Sequence, residues 1–107
     1  MQVDSDLQLW MDVQAGNGQT IVAPYVLAAR ERELQFELRL VNNGPSGTSS
    51  VAQGGNVHVN AGTPTRLSNI SVTPQPGGTC KLALVLRENG KEVGRYTLDC
   101  GAKSGSR

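Results

Sequence analysis

The feature that most constrains the fold of this chain is its segment from Cys80 to Cys100, where two alternating apolar runs flank an Asn-Gly pair. Asn89-Gly90 is the strongest short-range signal for a β-hairpin. Pairing Leu84 with Tyr96 places all the large apolar residues of both arms on one face, whereas a slip of one residue would bury Arg95 and Thr97. The residues that share this predicted face are Leu82, Leu84, Leu86, Tyr96 and Leu98.

The same register predicts that Cys80 lies directly opposite Cys100. Opposed residues of a non-hydrogen-bonded pair lie close enough for a disulfide after modest adjustment. The bond would close a loop of about twenty residues, which is worth roughly 3 kcal/mol in the chain-entropy model, and would indicate an oxidising compartment. The alternative is a pair of buried free thiols in a cytosolic domain.

Short alternating runs separated by glycine and proline continue along the rest of the chain, and they predict strands. Pro24 lacks a backbone N–H, so we expect the strand from Thr20 to Leu27 to be an edge strand or to contain a bulge. The polar segment Thr48 to Gln53 predicts an exposed strand that ends at Gly54-Gly55, after a loop at Asn42 to Gly47. The clearest apolar alternations are Leu7 to Val13, Leu34 to Leu40, Val57 to Val59 and Ile70 to Val72.

The expected fold is therefore an all-β, immunoglobulin-like β-sandwich of about seven or eight short antiparallel strands. A chain of 107 residues fits one domain, 1–107, in which we expect 1–5 and 102–107 to be flexible tails. The net charge of +1 gives no global attraction to nucleic acid, and no apolar run reaches the ~20 residues that span a bilayer. We therefore expect no nucleic-acid binding and no membrane insertion. We expect the protein to be a monomer.

No pattern in the sequence predicts catalysis, a metal site or a cofactor. His58 alternates with Val57 and Val59 and is expected to be a solvated strand residue. Metal sites usually need three or four ligands, and a disulfide would remove the two thiolates. No Gly-x-Ser-x-Gly elbow or phosphate loop occurs. The chain is therefore expected not to be an enzyme and to need no cofactor.

Two surfaces are candidates for binding. Trp10 points away from the apolar stripe of its strand, so it is either an exposed binding aromatic or a residue covered by a loop. The strand from Leu34 to Leu40 and the final hairpin commonly share a sheet in this architecture, which groups their outward residues. A merely solvated face with Glu37 and Asp99 interspersed is the alternative to a binding site. The predicted basic sheet face consists of Arg39, Lys81, Arg87 and Arg95 beside Val41, Ala83, Val85 and Val93.

The ordered set of Ser46 to Gly55, the turn Ala61 to Pro64 leading to Leu67, and the closing hairpin resembles the CsgC/CsgH family of curli-assembly inhibitors, and most of all its CsgH branch. The resemblance covers roughly Leu34 to Cys100. It implies an immunoglobulin-like periplasmic domain that keeps an amyloid subunit from polymerising. The CsgC branch has a Cys-x-Cys pair near the position of 33–35, where this chain has no cysteine, so a redox role is not transferable.

The expected function is therefore a periplasmic, chaperone-like inhibitor of curli subunit polymerisation, with the curli amyloid subunit as its protein partner. Basic groups would steer an acidic, largely unfolded subunit onto the sheet in a transient complex. The first residues lack a signal peptide, so a periplasmic location assumes that Met1 starts the mature form; otherwise the protein is cytosolic. The alternatives are a structural or adhesive module of a cell-surface assembly and, least expected, a thiol oxidoreductase.

Overall fold

The computed structural model describes residues 6–73 and 77–100, and these form strands and connecting turns without a helix. Every strand-to-strand ladder is antiparallel. The strands are β1 (Leu7–Gly16), β2 (Gln19–Ala28), β3 (Arg32–Gly44), β4 (Gly47–Val59), β5 (Thr65–Arg66), β6 (Ile70–Val72), β7 (Thr79–Glu88) and β8 (Lys91–Asp99).

Two sheets pack face to face. The smaller sheet has β2 at its centre, with β1 on one side and β5 and β6 one after the other on the opposite side. The larger sheet has the order β4-β3-β7-β8. The predicted all-β sandwich is confirmed, as is the shared sheet of β3 and the final hairpin. The expected tails at 1–5 and 102–107 lie outside the described residues.

The core lies between the sheets and is built from the alternating aliphatic residues that the sequence pattern predicts. Burying one such side chain stabilises the fold by roughly 1.5–3 kcal/mol. Because successive residues of a strand point to opposite faces, the same alternation sends the polar residues of β3 and β7 to the outer face of the larger sheet. The largest fully buried side chains are Leu34, Leu38, Leu82, Leu84, Leu86, Val22, Val26, Val59, Pro24 and Cys80.

The prediction that Pro24 marks an edge or a bulge is wrong, because Pro24 is buried in the central strand β2. Its carbonyl accepts a 2.8 Å hydrogen bond from the Leu67 N–H, so the side of Pro24 without a donor faces β5 and β6. β5 pairs with β2 from Tyr25 onwards and β6 pairs with it up to Val22. Pro24 therefore sits opposite the break between two short partner strands, where no ladder bond is lost.

The predicted end of a strand at Gly54-Gly55 is also wrong, because β4 runs through both residues without interruption. A β-carbon on Gly55 would lie 3.2 Å from Cε1 of Phe36, the residue opposite it on β3. The glycine makes room for the aromatic ring instead of ending the strand. The predicted loop at Asn42 to Gly47 shrinks to a two-residue turn between Gly44 and Gly47.

The final hairpin has the predicted register, with Leu82 opposite Leu98 and Leu84 opposite Tyr96. Asn89 and Gly90 form its turn with φ of 55° and 79°, as expected for a turn with positive φ at both positions. Cys80 and Cys100 form the predicted disulfide, with Cα atoms 4.9 Å apart. The Cys100 N–H also donates a 2.9 Å hydrogen bond to the Cys80 carbonyl.

A β-bulge interrupts this hairpin on its β8 side. Leu86 pairs with Gly94, whereas Arg87 pairs with Glu92, so Val93 is an extra residue between the two pairs. The sequence alternation predicted an outward Val93, but its side chain is only 8% exposed and belongs to the core. The bulge reverses the alternation of β8 at this point, which turns Val93 inward.

Candidate functional site

The outer face of the larger sheet contains all four residues of the predicted basic sheet face. In register, Arg39 on β3 lies opposite Ala83 on β7, and Arg95 on β8 lies opposite Val85. Arg39, Lys81 and Arg95 are exposed and Arg87 is half-buried. Three neighbouring strands thus present four cations on one surface of the sandwich.

Glu37 lies between two of these cations. Its carboxylate accepts a 3.1 Å hydrogen bond from Nη1 of Arg87 and another of 3.1 Å from Nη2 of Arg39. These hydrogen bonds, that of Arg87 first, hold the pKa of Glu37 below its ordinary value. One carboxylate shared by two guanidinium groups leaves a local excess of positive charge.

Arg95 has a carboxylate partner of its own, Glu92. The Arg95 Nε and Nη2 atoms donate hydrogen bonds of 3.1 and 2.9 Å to the two Glu92 carboxylate oxygens. This bidentate pairing lowers the pKa of Glu92 and raises that of Arg95. Sequence reasoning missed Glu92, because residues three apart on a regular strand point to opposite faces. The bulge at Val93 brings them to the same face.

Lys81 lies at the far end of this face, opposite Asp99 on β8 and Val41 on β3. It has no ion pair within 4.0 Å among residues 6–73 and 77–100. Val41 is 37% exposed beside it, whereas Val85 is buried although it points outward. Val85 has Glu37 opposite it on β3 and Arg95 opposite it on β8. Of the expected outward valines, Val41 is the exposed one.

His58 lies on the same outer face where β4 ends. Its Nε2 lies 2.5 Å from the Glu31 carboxylate, and its Nδ1 contacts the carboxylate of Glu33, the residue opposite it on β3. The hydrogen bond to Glu33, followed by that to Glu31, raises the pKa of His58 above 6.5. The expected solvated histidine is indeed exposed, but it bridges two carboxylates.

Trp10 occupies the outer face of the smaller sheet. It stacks on Tyr25 of the adjacent strand with ring centroids 5.6 Å apart and an interplanar angle of 5°. Both residues are half-buried. The covering group is thus a neighbouring aromatic side chain, and Trp10 lies on the sheet opposite to the basic sheet face.

The described residues contain no group of three or more His, Cys, Asp or Glu arranged to hold a metal ion. In the same ranges, no helix is long and apolar enough to cross a membrane. Cys80 is 0% exposed and Cys100 is 5% exposed. Thiol exchange requires access of a thiolate to a disulfide sulfur, so this buried bond is a structural cross-link.

Comparison with solved structures identifies proteins of the same architecture. CsgH from R. palustris superposes with a TM-score of 0.68 at 17% sequence identity, over 87% of this chain and 91% of CsgH. The E. coli curli protein CsgC gives a TM-score of 0.75 at 15% identity, over 88% of this chain and 97% of CsgC.

The same architecture also occurs in part of a larger protein. A β-glucuronidase from glycoside hydrolase family 2 matches with a TM-score of 0.57 and 15% identity, over 87% of this chain and 11% of that enzyme. No family model and no curated protein matches the sequence. The chain therefore has a CsgC/CsgH-like fold, which confirms at the level of structure the resemblance seen in the sequence.

Proposed function

We propose that this protein is a periplasmic, chaperone-like inhibitor of curli subunit polymerisation that acts as a monomer and without catalysis. The observation that carries the proposal is the match of almost the whole chain to both CsgH and CsgC. The disulfide supports an oxidising compartment, because such bonds persist outside the cytosol.

The basic sheet face supplies the proposed contact with the unpolymerised subunit. Exposed ion pairs such as Arg95–Glu92 typically contribute only about 0–1 kcal/mol. An arginine can therefore exchange its own carboxylate for one on an acidic partner at little net cost. Such an exchange favours fast, weak association over a stable complex, which suits capture of a transient subunit.

The proposal is tested by reversing charge on this face. Arg87→Glu/Arg95→Glu should retain the fold by circular dichroism, because surface substitutions usually change stability by ~0.5 kcal/mol or less and the Arg87 side chain, although the residue is half-buried, is still 42% exposed. The double variant should lose most of the delay that the parent protein imposes on dye-monitored subunit polymerisation at low salt.

A matched pair of single variants separates location from net charge. Arg39→Glu and Arg66→Glu change the charge equally, but Arg66 lies on β5 of the smaller sheet. Only Arg39→Glu should weaken inhibition. Equal inhibition by all these variants and the parent would mean that the basic sheet face is only a solvated surface.

The alternative function is a structural or adhesive module of a surface assembly. The observation that favours it is the same sandwich within a much larger β-glucuronidase, since one architecture serves many functions. An adhesive module should form a stable equimolar complex with a folded surface protein and leave polymerisation unchanged.

A further inference from the structure

The outer edge of β4 is the most open strand edge of the larger sheet. β4 is the terminal strand of that sheet, and eleven of its thirteen residues are exposed. At ~3.4 Å per residue, thirteen residues extend about 44 Å. This length offers a partner many backbone hydrogen bonds at once.

The alternation of backbone hydrogen bonds along the strands identifies which β4 residues direct their N–H and C=O groups to this edge. Cys80 directs its carbonyl to Cys100 on β8. Because antiparallel residues alternate between the two neighbouring strands, the even positions of β7 bond to β8 and its odd positions bond to β3. In the observed registers, the odd positions of β3 therefore bond to β7 and its even positions bond to β4. It follows that the odd positions of β4 bond to β3, whereas the N–H and C=O groups of its even positions point away from the sheet.

Six residues of β4 therefore present an N–H and a C=O to the free edge. No backbone hydrogen bond links any of them to a residue outside the β3–β4 ladder within 6–73 and 77–100. The six residues, hereafter the β4 edge, are Thr48, Ser50, Ala52, Gly54, Asn56 and His58.

Apart from His58 at its end, the β4 edge lacks the features by which sheet edges usually resist pairing, such as charges, proline and bulges. From Gly47 to Val57 the strand contains no Lys, Arg, Asp, Glu or Pro. The opposite edge of the same sheet, β8, has a β-bulge and four charged residues. Between Gly47 and Val57 the β4 edge therefore has none of these protective features.

We propose that the β4 edge binds an extended, uncharged polar segment of an unfolded partner by β-strand addition. The inference rests on the proposed function and names where the subunit strand is held. In a partner strand, uncharged Ser, Thr, Asn and Gln side chains would lie opposite the uncharged side chains of β4, where such cross-strand pairs are favourable. A charged segment would lose hydration there without meeting a counter-charge between Gly47 and Val57.

Amide hydrogen exchange on the full-length protein tests the proposal directly. The probe is a capped peptide of about nine residues, long enough to span most of the edge, in which threonine alternates with asparagine or glutamine. Saturating peptide should slow exchange at Ser50, Ala52, Gly54 and Asn56 by about tenfold or more. The odd-numbered amides, which already bond to β3, should change little. A peptide with alternating lysine and glutamate should give no protection.

A matched pair of variants at Ala52 tests the contribution of one outward N–H group. Ala52→Pro deletes an outward N–H without removing a bond to β3, and proline is tolerated at such edge positions. Ala52→Val keeps the N–H and adds a strand-favouring side chain. Because a typical net hydrogen bond corresponds to roughly fivefold in affinity, the proline variant should bind the peptide at least about fivefold more weakly. The valine variant should bind like the parent, and circular dichroism verifies both folds.

Three outcomes would overturn the proposal. They are protection that fails to follow the even positions, equal binding by both variants, and protection that grows with protein concentration without peptide, which would indicate pairing with a second copy. Failure here is distinguishable from failure of the proposed function. If the parent and Ala52→Pro delay polymerisation equally, inhibition stands and the edge proposal falls. If the peptide protects the edge but the parent does not delay polymerisation, the edge proposal stands and the proposed function falls.

Discussion

A buried ion-pair network at one end of the sandwich makes Arg32 the most informative target for a stability measurement. The Arg32 side chain is only 1% exposed, and its Nη1 and Nη2 atoms lie 2.6 Å from Asp6 and 2.5 Å from Glu88. Asp6 precedes β1 in the smaller sheet, and Glu88 ends β7 in the larger one. Arg32 therefore joins the two sheets electrostatically.

Arg32→Met retains the volume of the apolar stem but removes the shared cation from two carboxylates. Asp6 keeps a second partner, Arg30, whose Nε lies 2.9 Å from it, whereas Glu88 loses the guanidinium 2.5 Å away. Removing one partner of a buried ion pair typically costs about 3–5 kcal/mol, which is a large part of the ~5–15 kcal/mol that stabilises a domain. With a urea m-value near 2 kcal/mol/M, the unfolding midpoint should fall by about 2 M. Urea unfolding followed by circular dichroism measures this shift.

A triple variant provides the control. Arg32→Met/Asp6→Asn/Glu88→Gln removes all three charges, so no buried charge remains uncompensated, and it should recover most of the lost stability. The reasoning would be refuted by a loss below about 1 kcal/mol for Arg32→Met. It would also be refuted if the triple variant were no more stable than the single one.

Three further predictions follow from the same structure. Reducing Cys80–Cys100, which closes a loop with a sequence separation of 20, should lower the free energy of unfolding by about 3 kcal/mol in urea titrations; an unchanged midpoint would contradict this. Because the pKa of His58 is raised, protonated His58 should stabilise the fold fully below pH 6.5, and this stabilisation should be lost as pH rises through the folded pKa. An NMR titration midpoint at or below 6.5 would contradict the raised pKa. Gly55→Val should destabilise by about 1–3 kcal/mol through crowding against Phe36, and adding Phe36→Leu should restore part of the loss in thermal melts.

Local alternation was enough to predict the hairpin register, because a one-residue slip would bury Arg95 and Thr97 in place of Tyr96 and Leu98. The disulfide followed from that register. Pro24 and Gly55 were misread for one physical reason: each satisfies a requirement set by a residue distant in sequence. Pro24 faces a gap between two short strands, and Gly55 accommodates the ring of Phe36.

The candidate site was predictable in position but not in detail. The parity of the strands placed Arg39 and Arg87 on one outer face, and it also placed Glu37 between them. The alternation of side chains between the two faces of β8 is interrupted at the bulge. The inward position of Val93 and the pairing of Glu92 with Arg95 could therefore not be predicted from that alternation. Bulges depend on the partner strand, and that information is not local to the β8 sequence.

The most direct test of the central claim is the lag time of curli subunit polymerisation, measured by dye fluorescence with this protein added well below equimolar. We expect a lengthened lag that shortens as salt rises, because exposed charges separated by about 8 Å or more are largely screened at physiological ionic strength and beyond. An unchanged lag even at equimolar protein, together with a stable complex with a folded surface protein, would contradict the claim.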